Sequence, residues 1–149
     1  MYEHLAAFSS AGPTYDNRIK PDIVAPGDSI LSANIILPES DTTCAERSLS
    51  GTSMATPIAA GAATLLRQYF LDGYYPTGAA VPADSMVPSA ALLKAVIING
   101  AQPLKGTDSN GDPIDPPPSP KQGWGRVSLA SSVRLEVNGI DVDAADTVT

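Results

Sequence analysis

The chain has 149 residues, of which 43% are hydrophobic, and none of its apolar runs approaches the roughly 18 residues of a membrane-spanning helix. Its net charge is −7, with 9 Lys and Arg scattered among 16 Asp and Glu, which argues against nucleic acid or an anionic membrane as a partner. The one cysteine, Cys44, excludes an internal disulfide, and residues 1–4 lack the basic and apolar regions of a signal peptide.

The first fifty residues predict short extended segments separated by loops. Residues 21–27 are bracketed by Pro21 and Pro26, and a proline pushes the residue before it towards an extended conformation. Residues 30–37 are apolar and rich in isoleucine, which predicts a strand. The polar stretch over residues 38–47 is predicted to be a loop.

A long helix is predicted over residues 53–71. Its apolar side chains recur at steps of three and four residues, which places one set on a single face: Met54, Ile58, Ala62, Leu65, Leu66 and Tyr69. The positions between them are mostly alanine and glycine, and a helix that is small and apolar all round is typically buried on nearly every side. Pro57 is tolerated in a first turn, so the helix is predicted to begin at Thr52 or Ser53.

A second helix is predicted from Ser89 to Asn99, with Ser89 as its N-cap and Gly100 as its C-terminal stop. Residues 102–121 form a long loop rich in proline, glycine and aspartate, and residues 122–127 are predicted to form a tight apolar turn. A weak last helix or strand follows, and the acidic tail from Asp141 is predicted to be frayed.

The segment over residues 50–57 places a serine hydroxyl where a glycine-containing loop enters the long helix. Free N–H groups and the helix dipole favour negative charge there, so Ser53 could act as a nucleophile whose own N–H faces an oxyanion. Gly51 would let an extended substrate approach the backbone closely. The alternative is that Ser53 is only an N-cap and Gly51 a turn residue, and N-cap serines are far commoner than nucleophiles. Local physics therefore leaves both interpretations open.

Four blocks of sequence extend this segment into a longer pattern. They are residues 8–14 (Phe-Ser-Ser-Ala-Gly-Pro-Thr), 18–27 (Arg-Ile-Lys-Pro-Asp-Ile-Val-Ala-Pro-Gly), 51–57 (Gly-Thr-Ser-Met-Ala-Thr-Pro), and 92–95 (Leu-Leu-Lys-Ala) with 122–127 (Gln-Gly-Trp-Gly-Arg-Val). In this order they resemble the C-terminal part of the catalytic domain of subtilisin-like serine proteases, the subtilase family.

The resemblance implies an α/β fold with a mainly parallel sheet and a central buried helix that starts at Ser53. It also implies that residues 1–135 are part of a catalytic domain and that residues 136–149 are a tail or the start of a following segment. The implied activity is that of a serine endopeptidase, in which Ser53 forms an acyl-enzyme and Gly51 and Thr52 contact a protein or peptide substrate.

The same resemblance implies that the other members of a catalytic triad lie outside this chain. The family's chain order of Asp, His and Ser places them before residue 1. The only histidine, His4, lacks the His-Gly-Thr surroundings of the family's base, and Asn34 and Asn99 lie in the wrong blocks for its oxyanion donor. We therefore expect a fragment that is inactive on its own, from a secreted or extracellular parent protease. The alternative is a truncated, non-catalytic remnant that binds a peptide or another partner.

No cofactor and no catalytic metal are predicted. Residues 108–112 place side-chain oxygens at alternate positions, as at the start of a calcium-binding loop. Pro113 follows where such a loop needs flexibility, and Ser119 occupies the twelfth position, where an EF-hand has glutamate. An EF-hand is therefore excluded, and a structural calcium ion in this surface loop is left as the weaker alternative to a solvated turn.

Overall fold

The computed structural model describes residues 3–34, 45–137 and 140–141. Its helices are α1 (Thr52–Leu71) and α2 (Ala90–Asn99), with a short 3-10 helix at Pro82–Asp84. Its strands are β1 (Ile30–Asn34), β2 (Ala45–Leu49), β3 (Glu136–Val137) and β4 (Ile140–Asp141). Both predicted helices are confirmed. Within the described ranges, no helix is long and apolar enough to cross a membrane.

The hydrophobic core lies between α2 and the C-terminal half of α1. Leu66, Tyr69 and Phe70 of α1 are buried together with Ile97 of α2. The predicted apolar face of this helix was wrong to include Leu65, which is 56% exposed, and it omitted Phe70, which is buried. Successive helical residues are separated by about 100° around the axis, so the side of α1 that turns Leu66 towards α2 turns Leu65 away from it.

The N-terminal half of α1 is not enclosed by the rest of the described chain. Ser53, Thr56, Pro57 and Ala60 are all exposed. The predicted burial on nearly every side therefore does not hold in this structure. Pro57 is the sixth residue of α1 rather than a first-turn residue, so the Ser53 carbonyl lacks the N–H that would normally bond to it.

Helix α2 is capped at both ends as predicted. Ser89 Oγ accepts a hydrogen bond from the Leu92 N–H at 3.1 Å, which satisfies one of the free donors of the first turn. Gly100 follows the last helical residue, and its N–H donates to the Val96 carbonyl at 3.1 Å. Local chemistry therefore sets both ends of this helix.

Strands β1 and β2 form an antiparallel pair that brings the chain to the start of α1. Ile30 pairs with Leu49 and Asn34 with Ala45. The predicted loop over residues 38–47 is wrong at residues 45–47, which belong to β2, while residues 35–44 lie outside the described part of the chain. Four of the five residues in each strand are exposed, so β2 shows no apolar alternation that a sequence analysis could detect.

Residues 124–127 form a short ribbon between two other segments rather than an isolated turn. The Val24 N–H donates to the Gly125 carbonyl at 2.9 Å, and the Val127 N–H donates to the Val24 carbonyl at 2.9 Å. On the other side, Arg126 and Gln102 exchange backbone hydrogen bonds of 2.7 and 2.8 Å. The Val24–Arg126 bridge is parallel, but the named strands that the structure describes pair antiparallel, so it does not show a mainly parallel sheet.

The long loop over residues 102–121 is held by a buried polar side chain that the sequence analysis did not single out. Gln122 is 0% exposed. Its Oε1 accepts a hydrogen bond from the Leu104 N–H at 2.8 Å, and its Nε2 donates to the Asp115 carbonyl at 2.7 Å. These bonds satisfy the buried amide and attach both halves of the loop, at Leu104 and at Asp115, to Gln122.

Candidate active site

Ser53 lies at the N-terminus of α1 as its second residue, and its side chain is exposed. The residue at the N-cap position is Gly51, and no side chain caps the helix. Within the described residues, the Ser53 hydroxyl has no hydrogen-bond partner. The interpretation of Ser53 as an N-cap is therefore wrong, and the hydroxyl lies at a helix N-terminus that no side chain caps.

Gly51 adopts a backbone conformation that only glycine tolerates well. Its φ and ψ are 153° and 168°. In this conformation, the Cβ of any residue other than glycine would crowd the residue's own backbone. A Cβ added here would meet nothing closer than the Ser53 nitrogen at 3.9 Å, so the constraint is conformational rather than one of space. The backbone conformation is therefore a reason for glycine at position 51 that does not depend on the predicted approach of a substrate.

A turn over residues 27–29 holds the loop that carries Gly51. The Gly51 N–H donates to the Gly27 carbonyl at 2.7 Å. Ser50 Oγ donates to Asp28 Oδ1 at 2.6 Å and accepts from the Ser29 N–H at 2.8 Å. These contacts could not be predicted from the sequence, because 22 positions separate Asp28 from Ser50 and neither residue stands out by composition.

A groove with a volume of about 670 Å³ lies beside the start of α1. Among its lining residues are Thr52, Ala55, Thr56 and Ala59 of α1, the segments 8–10 and 23–28, and His4. Thr52 thus faces the groove, whereas Ser53 is not among its lining residues. The α1 side chains that form this wall of the groove are all small, two threonines and two alanines.

His4 is bonded to the loop after α2 and not to Ser53. Its Nδ1 accepts a hydrogen bond from the Thr107 N–H at 3.1 Å and lies 2.9 Å from Thr107 Oγ1. Asn34 ends β1 and Asn99 ends α2, so neither belongs to the loop that precedes Ser53. The described residues thus bring together Gly51, Thr52 and Ser53, and none of them is hydrogen-bonded to the Ser53 hydroxyl.

The loop over residues 108–112 is organised around Asp108 and a lysine. Asp108 Oδ1 accepts from the N–H groups of Asn110 and Asp112 at 2.8 and 3.1 Å, and Oδ2 pairs with Lys121 Nζ at 2.6 Å. The hydrogen bond from Lys121 is the main reason that the pKa of Asp108 lies below its ordinary value. A calcium ion would have to displace this ammonium. Across the described ranges, no group of three or more His, Cys, Asp or Glu residues is arranged to hold a metal.

A solved structure resembles the chain in fold. The CspB protease of Clostridium perfringens is 28% identical and superposes with a TM-score of 0.51, over 81% of this chain and 21% of that protein. The chain therefore corresponds to a minor part of a larger protease fold.

Sequence comparisons point to the same family. A serine protease/ABC transporter B family protein, tagD of Dictyostelium discoideum, is 42% identical over 92% of this chain, and subtilisin-like protease SBT6.1 of Arabidopsis thaliana is 34% identical over 89% of it. The chain spans only 8% and 11% of these two proteins. The family model of the subtilases matches residues 1–125. On this match and these relatives, the chain belongs to the subtilase family.

Proposed function

We propose that this chain carries the nucleophile of a serine endopeptidase and that the nucleophile is Ser53. The observation that carries the proposal is the state of this side chain: an exposed hydroxyl without a hydrogen-bond partner among the described residues, on the second residue of an uncapped helix. A serine at the N-cap position would bond to a first-turn N–H. Ser53 makes no such bond. Its own N–H and that of Thr52 have no acceptor among the described residues, which leaves both available for a developing negative charge.

In the proposed reaction, Ser53 Oγ attacks the carbonyl carbon of the scissile peptide bond and its proton passes to a histidine of the parent protein, the longer protein that includes this chain. The Ser53 N–H donates to the oxyanion of the tetrahedral intermediate. Collapse of the intermediate expels the amine, which takes the proton from the histidine, and leaves an acyl-enzyme on Ser53. Water then hydrolyses the ester and restores the serine.

Gly51 and Thr52 are proposed to contact the substrate on the approach to Ser53. Thr52 is exposed and lines the groove beside α1, which supports a role in holding an extended peptide. Gly51 presents backbone without a side chain at the adjoining position. The proposed substrates are proteins or peptides, which agrees with the protease names of the relatives.

The parent protein is proposed to complete the domain around residues 1–135, with residues 136–149 as a tail or the start of a following segment. In it, α1 would be the central helix and a mainly parallel sheet would cover the exposed side of its first half. The small residues along the groove support this arrangement, because they allow another backbone to approach α1 closely. The family resemblance supports a secreted or extracellular location.

The test compares Ser53→Ala with Ser109→Ala in the parent protein. Ser109 is a matched control, an exposed serine in the loop over residues 108–112. We expect Ser53→Ala to abolish both peptide hydrolysis and labelling by a fluorophosphonate, because no other group supplies the attacking oxygen. We expect Ser109→Ala to retain both. Hydrolysis by Ser53→Ala at the unmodified rate would contradict the proposal.

The isolated 149-residue chain is a second arm of the same experiment. We expect no labelling of it, because a serine without a base keeps the pKa of an alcohol and is a poor nucleophile. A non-catalytic remnant predicts this result too, but it also predicts that the parent protein has no Ser53-dependent activity. The two arms together therefore separate a protease from a remnant.

A further inference from the structure

We infer that Asp28 and Ser50 are positioning residues that hold Ser53 in its reactive place. Neither side chain touches the reacting atoms. They act through the loop that enters α1, three residues before the nucleophile. The inference rests on the proposed role of Ser53 as the nucleophile.

The Ser50 hydroxyl is bonded on both sides to the turn over residues 27–29. It donates to Asp28 Oδ1 at 2.6 Å and accepts from the Ser29 N–H at 2.8 Å. With a donor and an acceptor both engaged, its rotamer is fixed. The Gly51 N–H adds a backbone bond of 2.7 Å to the Gly27 carbonyl. Two consecutive residues of the loop are therefore attached to the same turn.

The backbone conformation of the turn over residues 27–29 is suited to its contacts with residues 50 and 51. Ser29 has a φ of 55°, an uncommon conformation for a residue other than glycine, and it is in this conformation that its N–H bonds to Ser50. A Cβ on Gly27 would approach the Gly51 carbonyl oxygen to 2.8 Å and the Ala55 Cβ to 3.2 Å. The turn thus packs directly on the first turn of α1.

The start of α1 depends on this turn because no side chain caps the helix. Gly51 has no side chain that could anchor the loop. Without the bonds of Ser50, the bond from the Gly51 N–H to the Gly27 carbonyl would be the one hydrogen bond left, among the described residues, between residues 50–51 and the turn. A displacement of the nucleophile by about 1 Å can lower the rate of a reaction on the order of 100-fold, even when substrate binding is unchanged.

The contact also predicts which property of Asp28 matters. The carboxylate accepts a hydrogen bond from a neutral hydroxyl, and the amide oxygen of asparagine can accept the same bond. An asparagine should therefore replace Asp28, whereas an alanine should not. A role of the negative charge itself, by contrast, would be lost in both variants.

The experiment measures kcat and KM for peptide hydrolysis by the parent protein, with active-site titration to count folded enzyme. We expect Asp28→Ala and Ser50→Ala each to lower kcat ~10-fold, since both displace the nucleophile. Ser50→Ala should change KM less than about twofold, because Ser50, unlike Asp28, does not line the groove. The double variant should be no slower than the slower single variant, because each substitution already removes the bond between Asp28 and Ser50. Asp28→Asn should stay within about threefold of the unmodified kcat.

Asp16→Ala is the matched control. The Asp16 carboxylate is likewise exposed and accepts hydrogen bonds, from Thr14 Oγ1 at 2.5 Å and Arg18 Nε at 2.8 Å, but in the turn over residues 14–18. The Asp16→Ala variant should leave kcat unchanged. An unchanged kcat in Asp28→Ala, a loss that active-site titration accounts for entirely, or an Asp28→Asn variant as slow as Asp28→Ala would each overturn the inference. If Ser53→Ala remains active, the proposed function fails instead, whatever Asp28→Ala does.

Discussion

Gly27 and Gly51 guide the chain into α1, and each is required for a different reason. Gly27 is buried, and a Cβ there would press on the Gly51 carbonyl. Gly51 has space for a Cβ, but its φ of 153° disfavours any residue that carries one. The first is a constraint of packing and the second one of backbone conformation.

The conformational requirement at Gly51 predicts the effect of Gly51→Ala. We expect the free energy of unfolding of the parent domain to fall by about 1–3 kcal/mol, because alanine would be held in a conformation that only glycine populates well. Urea denaturation followed by circular dichroism would measure the change.

Ser109→Ala is the control for this experiment. Ser109 is exposed in the loop over residues 108–112, outside α1 and the loop that enters it. Alanine there should leave the free energy of unfolding within about 0.5 kcal/mol of the unmodified value. A Gly51→Ala variant that is as stable as Ser109→Ala would show that the loop can adopt another path.

At the scale of elements, an ion pair joins the extended segment 21–24 to α2. Asp22 Oδ1 accepts from Lys94 Nζ at 3.0 Å, and Oδ2 pairs with Lys20. Partial burial by itself would raise the pKa of Asp22, but the hydrogen bonds and positive charges of Lys20 and Lys94 outweigh it, so the pKa lies below its usual 3.8. Asp22 therefore contributes stability above this pH and loses it as the pH falls through the lower value of the folded state.

This linkage predicts a pH-dependent effect of Lys94→Met. At about pH 7 we expect the free energy of unfolding to fall by about 1 kcal/mol or less, the usual range for a largely exposed pair. The difference in free energy of unfolding between Lys94→Met and the unmodified protein should narrow as the pH falls from 3.8, where Asp22 of the unfolded chain is protonated, through the lower pKa of the folded state. Thermal unfolding of both proteins, from about pH 7 to below pH 3.8, would measure this difference.

Lys105→Met provides the control, because Lys105 is an exposed lysine without an ion pair among the described residues. Lys105→Met should change the free energy of unfolding by the same amount at about pH 7 and below pH 3.8. If Lys94→Met gave an equally constant difference, the Asp22–Lys94 contact would not contribute to folding.

For the molecule as a whole, the groove beside α1 is a mostly apolar surface that the described chain leaves open. The helix wall of the groove includes Ala55 and Ala59, and Ala59 also lines a second, smaller cavity against α2. Exposed apolar patches of this kind are uncommon on soluble monomers. We therefore expect the isolated chain to associate with itself, with a mass that rises with concentration in sedimentation equilibrium.

Ala59→Glu should shift the isolated chain towards the monomer, because it places a charge in the groove where association would bury it. The adjacent Ala60→Glu is the matched control, since Ala60 is exposed and does not line the groove. A monomeric unmodified chain with a sharp, cooperative thermal transition would contradict the prediction.

Local signals in the sequence were sufficient for the helices. Spacing of apolar residues placed α1, and Ser89 and Gly100 marked the ends of α2, because these effects depend on neighbours within one turn. The family also followed from the sequence, since its motifs are contiguous blocks. The place of Ser53 at the start of α1 was predicted for the same reason.

Only the tertiary structure decided the contacts between distant segments. Strand β2 has no apolar alternation because its residues are mostly exposed, so pairing with β1 alone defines it. Gln122 looks like any polar loop residue until its amide is found buried between Leu104 and Asp115. The bond between Asp28 and Ser50 depends on a turn that lies 22 positions away in the chain. Such contacts leave no periodic or local signal, because the partner of each group is set by the folded path of the chain.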